Sequence, residues 1–145
     1  MEIALAEARA AGRRAETPVG AVIAGPAGNL LAREGNRTRE RADPTAHAEI
    51  LAIRAACAAA GSERLPGAVL YVTLEPCAMC AAAIAAARIA RVVYGAPDPK
   101  SGGVEHGARV FDHPQTHWRP EIVAGVMETE SAALLRAFFA ERRNP

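Results

Sequence analysis

Two short motifs, His47-Ala48-Glu49 and Pro76-Cys77-Ala78-Met79-Cys80, constrain this chain more than anything else in it. One imidazole and two thiols are three good zinc ligands. Structural zinc sites close all four positions with protein groups, whereas catalytic sites keep one for water. A His and two Cys leave that position open, and Glu49 stands beside it as a carboxylate the metal shell does not need. Any fold the chain adopts must therefore bring His47, Cys77 and Cys80 to a single ion, with Glu49 close by.

Local spacing says how. Cys77 and Cys80, at i and i+3, are neighbours on one helical face. His47 and Glu49, at i and i+2, point nearly opposite ways in mid-helix. They converge only in a first turn, with the metal beyond the helix end. Asp43-Pro44-Thr45 reads as the helix start that puts them there, and Pro76 does the same for the cysteines. Two helix N-termini then face one ion, and their positive dipole ends favour thiolates.

The remaining elements follow from pattern. Residues 1–15 read as a helix with Ile3, Leu5 and Ala8 inward. Val19–Ala24 and Leu30–Glu34, joined by Gly25-Pro26-Ala27-Gly28-Asn29, form a hairpin. A helix runs from the Asp43 signal to about Ala60 and stops at Gly61-Ser62. Val69–Leu74 is a buried-type strand, Cys77–Ala87 a helix, Arg91–Tyr94 and Ile122–Val126 strands, and Glu128–Arg142 a closing helix. Strands alternating with helices predict a layered α/β domain, its sheet mostly parallel after the first hairpin. One domain over residues 1–145 accommodates all of this.

Composition narrows the setting. Half the residues are hydrophobic, but the longest apolar stretch, Ala81–Ala87, is far too short to span a bilayer. The opening Met-Glu-Ile-Ala shows no basic segment before an apolar core, so a cytoplasmic protein without a signal peptide is expected. With three cysteines, two of them in C-x-x-C, metal binding is favoured over a disulfide. Cys57 is read as a buried thiol. A net charge of +1 excludes indiscriminate nucleic-acid binding but leaves room for a local basic face. Arg33, Arg37, Arg39 and Arg41 cluster before the His motif, and Arg142-Arg143 lie near the end. Arginine suits forked phosphate contacts.

Other readings of the motifs are weaker. A redox dithiol would lack the paired H-x-E. A structural zinc closed by His106, His113 or His117 would leave Glu49 without a role.

The similarity extends beyond the metal motifs. It takes in Thr17-Pro18-Val19-Gly20-Ala21-Val22, Gly35-Asn36-Arg37, Asp43–Ile50, Leu70–Cys80, Arg91–Ala96, and Ala137-Phe138-Phe139 with Arg142-Arg143. On these residues the chain resembles the bacterial tRNA adenosine deaminases of the TadA type, within the cytidine deaminase-like superfamily. The resemblance implies a three-layer α/β/α sandwich with a five-stranded mixed sheet, usually assembled as a homodimer. It implies one Zn2+ held by His47, Cys77 and Cys80, with Glu49 as the proton shuttle of a hydrolytic deamination. The implied substrate is the wobble adenosine of a tRNA anticodon stem-loop, splayed out of the loop and converted to inosine. Asn36, Asp98, Val19 and Leu74 are the implied contacts to the nucleotide, and Arg142 and Arg143 those to the RNA. Pro97 and Pro99 around Asp98, and His117-Trp118-Arg119, depart from the family pattern. Two rivals remain: a deaminase of free guanine, cytosine or cytidine, and a non-catalytic zinc module that binds RNA. Gly35-Asn36-Arg37, Asp98 and Phe138-Phe139 argue against the first, and Glu49 against the second.

Overall fold

In the computed structural model, which describes residues 1–143, a mixed five-stranded sheet runs through the middle of the molecule. The elements in chain order are α1 (Glu2–Arg13), β1 (Gly20–Ala24), β2 (Leu30–Gly35), α2 (Ala48–Ala60) and β3 (Val69–Leu74). There follow α3 (Ala78–Ala86), β4 (Arg91–Ala96), a single 3-10 turn at Val110–Asp112, β5 (Glu121–Val123) and α4 (Glu128–Arg143). Strand order is β2-β1-β3-β4-β5. The hairpin β1/β2 is antiparallel, β1 is antiparallel to β3, and β3, β4 and β5 run parallel.

The layers follow from which helices meet. Helix α1 packs on β1, β2 and β3 and touches α4; α2 packs on the same three strands and touches α3. Two helices that share three strands without meeting each other must lie on opposite faces. The result is the α/β/α sandwich implied by the family resemblance, and a layered α/β domain as the element pattern predicts.

Alanine lets these layers approach closely. Ala21, Ala48, Ala52, Ala56 and Ala81 are buried beside Ile23, Leu70, Val72, Ile84 and Val92, so small side chains set the spacing between helix and sheet. At Gly20 even a methyl would not fit: a Cβ there would lie 1.9 Å from the Ala4 carbonyl oxygen. Glycine is thus what seats α1 on β1.

Parallel pairing positions the site. Leu74 of β3 lies opposite Ala96 of β4, so both strands release their chains at the same edge of the sheet. Open α/β sheets bind ligands there, beyond the strand carboxyl ends. The start of β1 reaches that edge as well, where the Gly20 amide donates to Thr73 Oγ1 at 3.2 Å.

Several boundaries differ from expectation. Ile3 faces outward at 42% exposure, because Ala4, Leu5, Ala8 and Ala11 form the inner stripe of α1. Strand β5 ends at Val123, three residues early; Gly125 and Met127, both at positive φ, turn the chain into α4 while the Val126 amide donates to Tyr94 O. Cys57 is half-buried rather than buried, at the edge of the core. Among the described residues, no helix is long and apolar enough to cross a membrane.

Candidate active site

Asp43 starts a turn, not the helix. Its Oδ1 accepts from the Thr45 amide at 2.8 Å and from the Thr45 hydroxyl at 2.7 Å. The N-cap of helix α2 comes four residues on, at His47, in extended conformation. Cys77 occupies the same position on α3. Both caps therefore aim at the space where two helix N-termini converge, as the i, i+2 spacing requires.

The donor atoms fit one tetrahedral ion. His47 Nδ1 lies 3.7 Å from Cys77 Sγ and 3.5 Å from Cys80 Sγ, and all three atoms lie within 4.8 Å of one another. Zinc bonds of about 2.3 Å to sulfur and 2.0–2.1 Å to nitrogen, at tetrahedral angles, place such donors about 3.6 Å apart. Electrostatics point the same way. The Cys77 thiol is drawn far below its ordinary range, first by the hydrogen bond from Cys80 and then by His47, against the opposing effect of burial. His47 is raised in turn, chiefly by its bond to Cys77. The Cys77 thiolate is thus a donor held ready for a cation, and His47 gives up its proton when its ring nitrogen takes up the metal. His106 does not complete a four-ligand shell, since its Nδ1 lies 2.7 Å from Glu75 Oε1.

Glu49, in the first turn of α2, is 4% exposed, and burial raises its carboxyl above the ordinary value. Its Oε2 is buried without a hydrogen-bond partner. An orphaned buried acceptor costs about 1–3 kcal/mol, and here it faces a pocket of about 190 Å³ that Glu49 lines with His47 and Cys77. Asn36, Val19, Leu74 and Asp98 line the same pocket, so every nucleotide contact implied by the family resemblance converges on it. The Oδ1 of Asn36 accepts the Ala48 amide at 3.0 Å, which fixes α2 and leaves the side-chain NH2 as its group for a ligand.

Beyond this pocket lies a wider groove of about 660 Å³. Thr17, Leu74, Asp98 and Ser101 line both. The groove's outer wall carries Lys100, Arg136, Arg142, Arg143 and Phe139, the last 45% exposed. Arg142 is partly occupied: it donates to Ala15 O at 3.0 Å and stacks 3.7 Å above the Phe138 ring. Arg37 and Arg39 do not join this surface. Arg37 is paired with Glu40 at 2.5 Å and Glu34 at 3.8 Å, and Arg39 donates to Ala15 O at 3.3 Å.

Thr17, Glu75, Ser101, Arg136 and Phe139 were missing from the sequence-based site. Glu75 had a visible signal: a carboxylate between a buried strand and the Pro-Cys motif can only point inward. Glu16 is a second such acid, 1% exposed, accepting from the Thr38 hydroxyl and the Arg39 and Glu40 amides. Burial opposes its charge, but those donors and Arg14 outweigh burial and hold the carboxyl below 4.5. Stability from a depressed carboxyl is complete above the unfolded value and lost as pH falls through the folded one. Glu16→Gln is therefore expected to melt below wild type at pH 7, with the gap narrowing as pH drops below about 4.5. Melting curves by circular dichroism from pH 7 to 3 check this; a gap that does not change with pH refutes it.

Comparison with known proteins agrees with the geometry. Residues 1–96 match the family model described as the cytidine and deoxycytidylate deaminase zinc-binding region. Over 143 residues the chain is 61% identical to a tRNA-specific adenosine deaminase of Agrobacterium fabrum, covering 99% of this chain and 93% of that one. A solved structure from work on A-to-I editing by tRNA:A34 deaminases at the wobble position of transfer RNA superposes with a TM-score of 0.91. It is 61% identical, with 93% of this chain and 97% of that one covered. A guanine deaminase from Bacillus subtilis is more distant, with a TM-score of 0.66 at 31% identity over 99% and 92% of the two chains.

Proposed function

The chain belongs to the tRNA-specific adenosine deaminases, within the zinc-binding cytidine and deoxycytidylate deaminase family, and from that premise we propose the roles of its residues. Its reaction is the hydrolytic conversion of adenosine to inosine at the wobble position of a tRNA anticodon loop. The observation that carries this substrate is the two-chambered cleft. A free base needs only the small closed pocket. The cationic groove that shares Thr17, Leu74, Asp98 and Ser101 with it is of use only to a substrate with phosphates and further bases.

His47, Cys77 and Cys80 hold Zn2+, which when bound supplies the Lewis acidity that makes water a nucleophile near neutral pH. Glu49 accepts one proton of the attacking water and delivers it to adenine N1. It then takes the second proton, from the new C6 hydroxyl, and passes it to the departing amine; the C6–N6 bond breaks as C6=O forms, ammonia leaves, and one water is consumed per inosine formed. Its raised carboxyl suits an acid that must both take and give a proton near neutrality. Val19 and Leu74 wall the base, Asn36 donates to it through its NH2, and Asp98 lies beside it at the mouth. The depth of the pocket requires the nucleotide to be splayed from its loop. Arg143, Arg136 and Lys100 meet the flanking phosphates, with Arg142 joining them from its place over Phe138.

From the tRNA substrate we infer a cytoplasmic protein. We also propose that it works as a homodimer joined through the outer face of α3, where Met79 stands 37% exposed and Ala82, Ala85 and Ala86 line a shallow groove with Arg88 and His117. A monomeric mass in light scattering at micromolar concentration overturns this.

The substrate is tested by ammonia release from an anticodon stem-loop with wobble adenosine, the same stem-loop with guanosine, and free guanine, cytosine and cytidine. Only the first is expected to react. Brisk turnover of guanine with none on the stem-loop refutes the assignment and leaves the zinc chemistry standing.

A further inference from the structure

Glu75 is fully buried, and its carboxylate is the hub of the loop that forms one wall of the pocket. Its Oε1 accepts the Asp98 amide at 3.1 Å and faces His106 Nδ1 at 2.7 Å. Its Oε2 accepts the amides of Val104, Glu105 and His106 at 3.0 to 3.2 Å. Four backbone donors and one ring thus converge on a single side chain, and the segment from Asp98 to His106 is wrapped around it. The wrapping is tight. A Cβ on Gly102 would lie 2.5 Å from Glu75 Oε2 and from Asp98 O, and one on Gly103 would lie 2.5 Å from the Ala78 amide nitrogen at the start of α3. From this loop Asp98 and Ser101 face both the small pocket and the outer groove.

We propose that Glu75, with His106 as its ring partner, is a positioning residue that sets the Asp98–Ser101 wall against the bound nucleotide. Glu75 lines the pocket, but both its carboxylate oxygens are engaged by the loop, so it acts through the loop and governs how well the stem-loop is held and not how fast the chemistry runs. An amide in its place keeps the shape but presents an NH2 to one set of amide donors, which forces that side of the loop outward. The inference rests on the proposed anticodon substrate.

The test compares wild type with Glu75→Gln, Gly102→Ala, His106→Ala and His106→Gln as full-length zinc-loaded proteins on the stem-loop. Glu75→Gln and Gly102→Ala are expected to raise KM tenfold or more, with kcat within threefold of wild type and zinc content unchanged. His106→Ala, at a half-buried position that does not threaten folding, is expected to raise KM about threefold. His106→Gln, which restores a donor, should recover most of that loss. A fall in kcat at unchanged KM, loss of zinc, or unchanged KM in His106→Ala and Gly102→Ala overturns the proposal. Should wild type ignore the stem-loop and turn over guanine, the substrate reading fails, and the same KM-against-kcat split on guanine decides the role of Glu75.

Discussion

Glu49→Ala is expected to keep one zinc per chain while its turnover falls roughly 10²- to 10⁴-fold, the usual contribution of a positioned proton donor and acceptor. The reason is geometric. The donor trio belongs to two helix starts, with His47 capping α2 and Cys77 capping α3, and Glu49 is not part of it. Removing Glu49 also removes a buried carboxylate oxygen that has no protein partner, so folding loses no hydrogen bond of that atom. Melting temperature should hold or rise even as activity disappears, which a ligand or a packing residue would not allow. Metal analysis, melting curves and inosine formation, measured on one preparation, check all three points. Loss of zinc from the variant would show that a metal ligand had been mistaken for the proton shuttle.

The donor trio and Glu49 were readable in the sequence because short-range rules fix them. H-x-E cannot converge in mid-helix, and a helix start is what resolves it. The Asp43-Pro44-Thr45 signal was placed four residues early only because Asx side chains serve turns as readily as caps. Long-range contacts were less legible. Nothing local says that Glu16 gathers the Thr38 hydroxyl and the Arg39 and Glu40 amides, or Glu75 the amides of Asp98 and Val104, Glu105 and His106, since those partners arrive only when the sheet brings the loops in. The arginines failed differently, since the partners of Arg37 are local, three residues away on either side. Arg37 looks free beside Arg39 and Arg41, yet Glu34 and Glu40 neutralise it, whereas Arg136, unremarkable in the helical pattern, lines the groove. Strands β1, β3 and β4 were visible as apolar runs, though their register was not. The short β5 was misplaced because its pairing with β4 begins at the half-exposed Ile122 and the exposed Glu121, not in an apolar run.

Cys80→Ala is expected to lose zinc and to melt on the order of 10 °C below the zinc-loaded wild type. An ion that binds only the folded chain stabilises it by about 4 kcal/mol when its free concentration is a thousand times Kd. For a domain of this size each kcal/mol moves the melting point by about 2–4 °C. Cys80 is the inner ligand of the trio, fully buried in the first turn of α3, and Ala81 and Ile84 beside it belong to the core. Part of the loss in Cys80→Ala therefore comes from the small cavity left where the sulfur was. Chelation separates the two contributions. In wild type, stripping the metal should lower the melting point by most of the same amount, because two positive helix ends are left facing each other across a half-neutralised thiolate pair. In Cys80→Ala the chelator should change nothing, since there is no ion to remove. A wild type whose melting point is indifferent to the chelator, or a variant that still carries one zinc per chain, would show that these three side chains do not hold the metal.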